Sequence, residues 1–135
     1  MNLENVRAFI EREFPSLQLV IDQVGNRSST LRLPVNTSLL RPGGTVSGPA
    51  QMMLADVGIY VAILGEMGEF AVQTVTSNMN LSFLSRPRAD VDLLARCKLI
   101  RLGKRLATGE AFLYSAGDEE PVAHVVATYS IPPRT

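Results

Sequence analysis

One apolar stretch, residues 41–66, constrains the fold of this chain more than any other feature. It reads RPGGTVSGPAQMMLADVGIYVAILGE and contains a single carboxylate between its charged ends, Asp56. Residues 47–49 (Ser-Gly-Pro) predict a helix start, because Ser is a preferred N-cap and Pro is favoured in the first helical turn. Gly65 predicts the helix end. We therefore expect the chain to build around one long central helix over residues 47–65.

Asp56 needs a structural or chemical reason to stand in this helix. Burying an unpaired charge is costly, and Asp is a mediocre helix former. Ala55, Gly58 and Ala62 recur at helical spacing and predict a smooth face where a sheet or second helix can approach closely, whereas Asp56 lies on another face. Two interpretations stay open. Asp56 either bonds a backbone or Arg group or faces a wet groove, or it lies in a cleft as nucleophile or general base.

Composition limits the function classes. A chain of 135 residues with 46% hydrophobic residues is expected to form one domain, residues 1–135, with a real core. Net charge is zero and there is no Trp, which argues against nucleic acid as a partner. One Cys (Cys97) and one His (His124) make neither an internal disulfide nor a usual metal site. The apolar run 52–64 is too short to span a bilayer, and charges near the start exclude a secretory signal, so a cytoplasmic protein is expected.

Hydrophobic periodicity gives the order of the remaining elements. One amphipathic helix and two strands precede the central helix, and four strands follow it. The short spacings between the strands after this helix predict consecutive antiparallel hairpins. This order fits an antiparallel sheet wrapped around one buried helix, so the predicted class is α+β. The predicted elements are a helix over residues 2–14, strands over 17–24 and 29–35, a loop over 36–45, and strands within 70–85 and over 91–100, 106–115 and 122–131.

This layout, together with the motif SGPAQMMLADVG, resembles the hot-dog-fold acyl-CoA thioesterases of the PaaI-like (phenylacetate-pathway) group. Residues 54–56 (Leu-Ala-Asp) match the acidic triplet of that family, and Gly48 matches the first glycine of its His-Gly-Gly signature. Residues 76–84 (TSNMNLSFL) are similar to a family strand, and residues 102–106 (LGKRL) to its Gly-basic-basic turn. The resemblance implies a hot-dog fold in which an antiparallel sheet wraps one long central helix.

The resemblance also implies a reaction and its residues. Asp56 is expected to act as nucleophile or general base in hydrolysis of an acyl-CoA thioester, and the Gly48 N–H to stabilise the oxyanion. Thr76 stands where a family Ser or Thr can hold the water. Ser47 joins the catalytic candidates because it occupies the position of the family His. No cofactor is expected, since CoA is part of the substrate.

Helix geometry separates the two main groups of this site. Gly48 and Asp56 are eight residues apart, which is about 12 Å along a helix axis. Gly48 and Asp56 of one protomer are therefore too far apart to contact the same thioester carbonyl easily. Two such helices packed antiparallel across a two-fold axis would place Gly48 of one protomer beside Asp56 of the other. We expect at least a dimer, and a homotetramer formed as a dimer of dimers.

Three positions depart from the family pattern and keep other functions open. Ser47 replaces the usual His, Pro49 the second glycine, and Arg41 a frequent Asn. A non-hydrolytic hot-dog module that binds acyl-CoA or another apolar ligand is the alternative function. A structural oligomer without ligand, in which Asp56 is an interface residue, is the third. A dehydratase is disfavoured because those sites pair His with a carboxylate and this chain has only His124.

The expected substrate-binding residues are cations and glycine around loops, and larger side chains along the central helix. Fixed cations at turns suit the phosphates of CoA, although solvated surface charge is the alternative explanation. Residues of the helix are expected to line the acyl tunnel, although core packing would also explain them. The candidates are Arg41, Arg86, Arg88, Gly103, Lys104 and Arg105 for the first set, and Met52, Met53 and Tyr60 for the second.

Overall fold

A 20-residue helix crosses one face of a six-stranded, entirely antiparallel sheet in this computed structural model, which describes residues 1–133. The strands lie in the order β1-β2-β6-β7-β8-β5, and the helix α2 packs on all six. This arrangement confirms the predicted α+β hot-dog fold. The elements are α1 (Leu3–Glu13), β1 (Val20–Gly25), β2 (Ser28–Leu33), β3 (Leu40–Arg41), β4 (Thr45–Val46), α2 (Gly48–Met67), β5 (Val75–Phe83), β6 (Leu93–Leu102), β7 (Leu106–Ser115) and β8 (Ala123–Ser130).

The helix α2 starts where the sequence predicts but ends later. Ser47 is its N-cap, and the Ser47 hydroxyl accepts from the Ala50 N–H at 3.3 Å. The helix runs through Gly65 and ends at Met67, where Gly68 supplies the positive φ of 73° that suits a helix terminus. Gly65 instead allows close packing, because a Cβ there would lie 2.6 Å from a methyl group of Val24.

Small residues bring α2 close to the sheet, as the sequence predicts. Ala55 and Ala62 are buried, and a Cβ on Gly58 would lie 2.5 Å from Cys97 Sγ in β6. The sheet contributes a small residue of its own at Gly109, where a Cβ would overlap a methyl group of α2. The close approach therefore depends on missing side chains on both surfaces.

The pairing of β5 differs from the expected run of consecutive hairpins. β6, β7 and β8 follow that rule, but β5 pairs with β8 and forms the sheet edge, while β6 pairs with β2. Residues 84–92 therefore connect one edge of the sheet to its other half. The predicted loop over 36–45 is also partly ordered as a short 3₁₀ turn (Thr37–Leu39) and the two-residue ribbon β3–β4. Such short strands leave no hydrophobic pattern in the sequence.

The segment Gly48–Ala71 is long and apolar enough to cross a membrane, by length and composition alone. An 18-residue window within it has a mean hydropathy of 1.3, and 56% of that window is buried inside the domain. Burial of this kind is typical of the core helix of a globular domain, because a helix that is hydrophobic all round needs partners on most sides. The sequence-based estimate that the run is too short therefore rested on an underestimate of the helix length.

Candidate active site

Asp56 points from α2 toward the pair of strands at the sheet edge. Its Oδ1 accepts a hydrogen bond from Thr76 Oγ1 in β5 and another from the Tyr129 hydroxyl in β8, both at 2.7 Å. Asp56 is half-buried, and no ion pair within residues 1–133 includes it. Two neutral hydroxyls, rather than a guanidinium or a backbone N–H, therefore hold this carboxylate.

A β-bulge in β5 brings Thr76 to the helix side of the sheet. Thr76 pairs with Tyr129 and Asn78 with Thr128, so that Ser77 is an extra residue in the strand. Met79 packs against the core, and strict alternation from it would turn Thr76 away from α2. The extra residue reverses this direction, as bulges near functional sites commonly do.

Tyr129 is the site residue that the sequence analysis missed. It is only 1% exposed, and its hydroxyl donates toward both Asp56 Oδ1 and the Asp56 carbonyl oxygen, the latter at 2.9 Å. Burial, together with the neighbouring carboxylate, raises the pKa of Tyr129, so this side chain stays a neutral donor. One signal was available, because Tyr129 is the only residue with a polar tip among the alternate core positions of β8.

A mostly apolar cleft of about 290 Å³ opens beside Asp56. Tyr60, one of the predicted tunnel residues, lines it and donates a hydrogen bond to the Val72 carbonyl oxygen at 2.7 Å. Burial raises the pKa of Tyr60 to about 12. The Thr74 hydroxyl is buried in the cleft wall and has no hydrogen-bond partner within residues 1–133. The other lining side chains are Phe14, Val57, Val75, Thr76 and Tyr129.

The first turn of α2 leaves one backbone donor free, at Gly48. Pro49 has no N–H, the Ala50 N–H donates to the Ser47 hydroxyl, and the Gln51 N–H donates to the Ser47 carbonyl oxygen at 3.2 Å. The Gly48 N–H has no acceptor in the described part of the chain. The Gly48 N–H is therefore an unpaired donor at the positive end of the helix, where negative charge is stabilised.

This donor lies in a second cleft, of about 360 Å³. Arg41 and Arg86 line it, and neither forms an ion pair within residues 1–133. Gln51 is buried in its wall, where Nε2 donates to the Val46 carbonyl oxygen and Oε1 stays unpaired. Two clefts of one protomer thus hold the two halves of the predicted chemistry, with Asp56 in one and the free helix donor in the other.

Other predicted site residues lie elsewhere or have other partners. Ser47 caps the helix. Arg88 pairs with Asp90 at 3.1 Å and Asp118 at 3.5 Å, so its charge is already compensated. Met52 is 40% exposed and Met53 packs on the core, and neither lines either cleft.

The Gly-basic-basic turn lies near the opposite end of α2. Gly103, Lys104 and Arg105 border a third cleft of about 610 Å³ together with Met67 and Phe70. Arg105 Nε donates to the Ile131 carbonyl oxygen, whereas Lys104 forms no ion pair within residues 1–133. The predicted cations therefore do not converge on one phosphate site. In the same range, no three His, Cys, Asp or Glu side chains are grouped to hold a metal ion.

Comparison with known proteins assigns the family. Residues 43–122, more than half of the chain, match the family model described as the thioesterase superfamily. The chain belongs to the thioesterase superfamily. The matched region begins just before α2 and includes Gly48, Asp56 and Thr76, whereas Arg41 and Tyr129 lie outside it.

Individual relatives support the same assignment. A candidate thioesterase from Silicibacter sp. TM1040 is 42% identical, with a TM-score of 0.91 over 98% of this chain and 93% of that one. A candidate esterase from Thermoplasma acidophilum is 26% identical over 68% of this chain and 67% of its own length. A variant of the phenylacetic acid degradation protein PaaI from Thermus thermophilus is 21% identical, covers 93% and 99% of the two chains, and shares the fold with a TM-score of 0.76.

Proposed function

We propose that this protein hydrolyses acyl-CoA thioesters, with Asp56 as the reacting carboxylate and the Gly48 N–H as the oxyanion donor. The observation that carries the proposal is the position of Asp56, held by two hydroxyls at the mouth of an apolar cleft. Placing a carboxylate beside an apolar cleft costs free energy, which points to a functional reason for keeping it there. Thioester hydrolysis supplies such a reason, because it needs a base or nucleophile beside an apolar acyl group.

In the general-base form of the reaction, Asp56 takes a proton from water while the water oxygen attacks the thioester carbonyl carbon. The carbonyl oxygen becomes an oxyanion, which the Gly48 N–H stabilises. Collapse of this intermediate breaks the C–S bond, and the CoA thiolate takes up the proton. In the nucleophile form, Asp56 attacks first and water then hydrolyses the mixed anhydride. Either route yields a free acid and CoA and needs no cofactor.

Arg41 is the second proposed donor to the oxyanion. It lines the same cleft as Gly48 and stands where the family often has Asn, so its guanidinium offers N–H groups where an amide would otherwise serve. The acyl group would occupy the apolar cleft beside Asp56. The phosphates of CoA would bind Lys104 and Arg105 at the third cleft, because these cations border a large surface groove.

The site is proposed to form between two protomers. Gly48 and Asp56 lie in different clefts of one chain, about 12 Å apart along the helix. The edge strand β5 keeps Val75 and Phe83 61% and 54% exposed, and an apolar edge strand is a ready surface for pairing with a second copy. A dimer of this kind would bring each Asp56 cleft to a partner helix terminus. The tetramer and the cytoplasmic location remain predictions.

The test is steady-state hydrolysis of short, medium, long and aromatic acyl-CoA thioesters, with release of free thiol as the readout. Asp56→Asn should abolish turnover and leave the oligomer intact, whereas Asp22→Asn, the same change at a surface ion pair, should not. Turnover retained in Asp56→Asn would refute the assigned role. Thioesters that bind without any wild-type turnover would favour the non-hydrolytic module, for which the loss of the family His at Ser47 is the supporting observation.

Subunit mixing tests the shared site in the same assay. Gly48→Pro removes the free N–H while keeping a residue that is favoured at the helix start. Co-refolded Asp56→Asn and Gly48→Pro chains form heterodimers with one doubly altered site and one intact site. Since half of the dimers are mixed, the activity should recover to about one quarter of wild type. Two inactive parents that stay inactive when mixed would place both groups in one protomer.

A further inference from the structure

We infer that Tyr129 is the positioning residue for Asp56, and that it leaves Asp56 Oδ2 as the oxygen that acts on water or thioester. This inference rests on the proposed hydrolysis. Tyr129 borders the cleft but presents almost no surface to a substrate there, because its side chain is only 1% exposed and its hydroxyl bonds Asp56. Its hydroxyl contacts Asp56 at two atoms, so its effect on the reaction would pass through Asp56.

The hydrogen bonds distinguish the two carboxylate oxygens. Oδ1 accepts from Thr76 and from Tyr129, each at 2.7 Å, and one carboxylate oxygen offers about two lone-pair sites. Oδ2 accepts from no residue in the range 1–133. The plane of the carboxylate is thus fixed by donors from two paired strands, and only Oδ2 keeps lone pairs for a water molecule or a carbonyl carbon.

The Tyr129 hydroxyl also bonds the main chain of the residue it orients. Its single proton has two acceptors, Asp56 Oδ1 and the Asp56 carbonyl oxygen at 2.9 Å. When Oδ2 has taken a proton from water, or carries the acyl group, Oδ1 becomes a poorer acceptor. The hydroxyl then still has the carbonyl oxygen, so no buried donor is left unpaired during the cycle. This arrangement lets Asp56 change charge without disturbing the packing of α2 on β8.

The orienting strands are themselves fixed relative to each other. Thr76 and Tyr129 are register partners across β5 and β8, directly at the bulge. An unbulged strand would pair Ser77 with Tyr129 and would turn Thr76 away from the helix. The bulge places the Thr76 hydroxyl, and β8 places the Tyr129 hydroxyl, so that both donate to Asp56 Oδ1.

The test compares kcat and KM of Tyr129→Phe with those of wild type. A hydrogen bond to a charged group contributes enough that kcat should fall roughly 10- to 100-fold. KM should change less than about twofold, because the 1% exposed side chain of Tyr129 offers almost no surface to substrate. Tyr114→Phe is the matched control, since Tyr114 stacks under Arg96, lies away from both clefts, and should leave kcat unchanged. The double variant Thr76→Val/Tyr129→Phe should lose less transition-state stabilisation than the sum of the two single variants, because both hydroxyls act through the same carboxylate oxygen.

The outcomes separate this inference from the proposed function. A wild type that hydrolyses no thioester overturns both. An active wild type whose kcat is unchanged in Tyr129→Phe overturns the role of Tyr129 alone, as does strict additivity with Thr76→Val. If the Phe variant does not fold, 4-fluorophenylalanine at position 129 keeps the volume without a donor, and 4-aminophenylalanine keeps a donor. Rescue by the amino analogue, and not by the fluoro analogue, is expected, whereas equal activity of the two analogues would contradict the inference.

Discussion

Gly109→Ala should separate α2 from the sheet and weaken both stability and activity. A Cβ at Gly109 would overlap Cγ2 of Ile59 and lie 3.4 Å from the Lys98 carbonyl oxygen. Ile59 is fully buried in α2, and a β-branched residue in a helix has one strongly preferred rotamer. The side chain therefore cannot turn aside, and the helix backbone must move.

The magnitude follows from two opposing terms. Overpacking a core costs about 1–3 kcal/mol, whereas replacing a glycine restricts the unfolded chain and returns about 0.4–1 kcal/mol. The expected net loss is about 1–2 kcal/mol. With an unfolding entropy of about 2.1 cal/mol/K per residue, 1 kcal/mol corresponds to roughly 3.5 °C in a chain of 135 residues. Tm should therefore fall by about 4–7 °C.

Activity should fall as well, because Ile59 follows Asp56 by less than one helical turn. Movement of this part of α2 away from the sheet lengthens the hydrogen bonds that Asp56 receives from Thr76 and Tyr129. The assay is thermal unfolding at fixed protein concentration, since Tm of an oligomer depends on concentration, combined with thioester hydrolysis well below Tm.

A double-mutant cycle decides whether the reasoning is correct. Ile59→Ala removes the methyl group that Gly109→Ala would strike and leaves space that the new Cβ can fill. In the Ile59→Ala background, Gly109→Ala should therefore cost nothing or stabilise the protein. An equal cost of Gly109→Ala in both backgrounds would show that the loss has another origin and would refute the argument from close approach.

Two further predictions concern groups outside the Asp56 cleft. Burial raises the pKa of the Cys97 thiol to about 12 from 9.0, so this thiol stabilises the fold below about pH 9, and the stability is lost as the pH rises toward 12. Urea unfolding between about pH 9 and 10 should show a loss of up to about 1.4 kcal/mol per pH unit that Cys97→Ala removes, and an identical slope in Cys97→Ala would contradict this. Replacing Lys104 and Arg105 by Ala should weaken CoA-thioester binding and reduce its salt dependence in titrations at two ionic strengths, whereas unchanged affinity would exclude them from the site.

The sequence predicted the positions of the helices and strands better than it predicted which strands pair with each other. Alternation and turn signals gave β7 with its observed bounds, and the Ser-Gly-Pro capping signal gave the start of α2. The small residues along α2 correctly indicated close packing on a sheet. The pairing of β5 with β8 was not predictable in the same way, because alternation within a strand is the same whichever strand lies beside it. Gly65 was misread as a helix end since a glycine needed for close approach looks identical in sequence to one needed for a positive φ.

Part of the candidate site could likewise be recognised in the sequence, and part could not. Asp56 stood out because it is the one carboxylate in an otherwise apolar helical segment, and such an exception can be recognised from the neighbouring sequence alone. Tyr129 and the bulge at Ser77 did not stand out, because their importance depends on where α2 crosses the sheet and on the register of two strands distant in sequence. A carboxylate in an unusual place can therefore be found from its own residue type, while the side chains that bond it emerge only once the elements are assembled.

Ser47, which stands where the resemblance to the PaaI-like group would place His, affects which chemistry the helix terminus can supply. Ser47 accepts the Ala50 N–H and Pro49 lacks a donor, so the first turn offers the Gly48 N–H and nothing else from its backbone. An imidazole at position 47 would compete poorly for the capping role, since side-chain oxygens are preferred there. The chain has thus a well-capped helix with one free donor, and Arg41 stands in the same cleft with a charge that Asn would lack. A cation suits an oxyanion better than a neutral amide does, which is how hydrolysis could persist without the histidine.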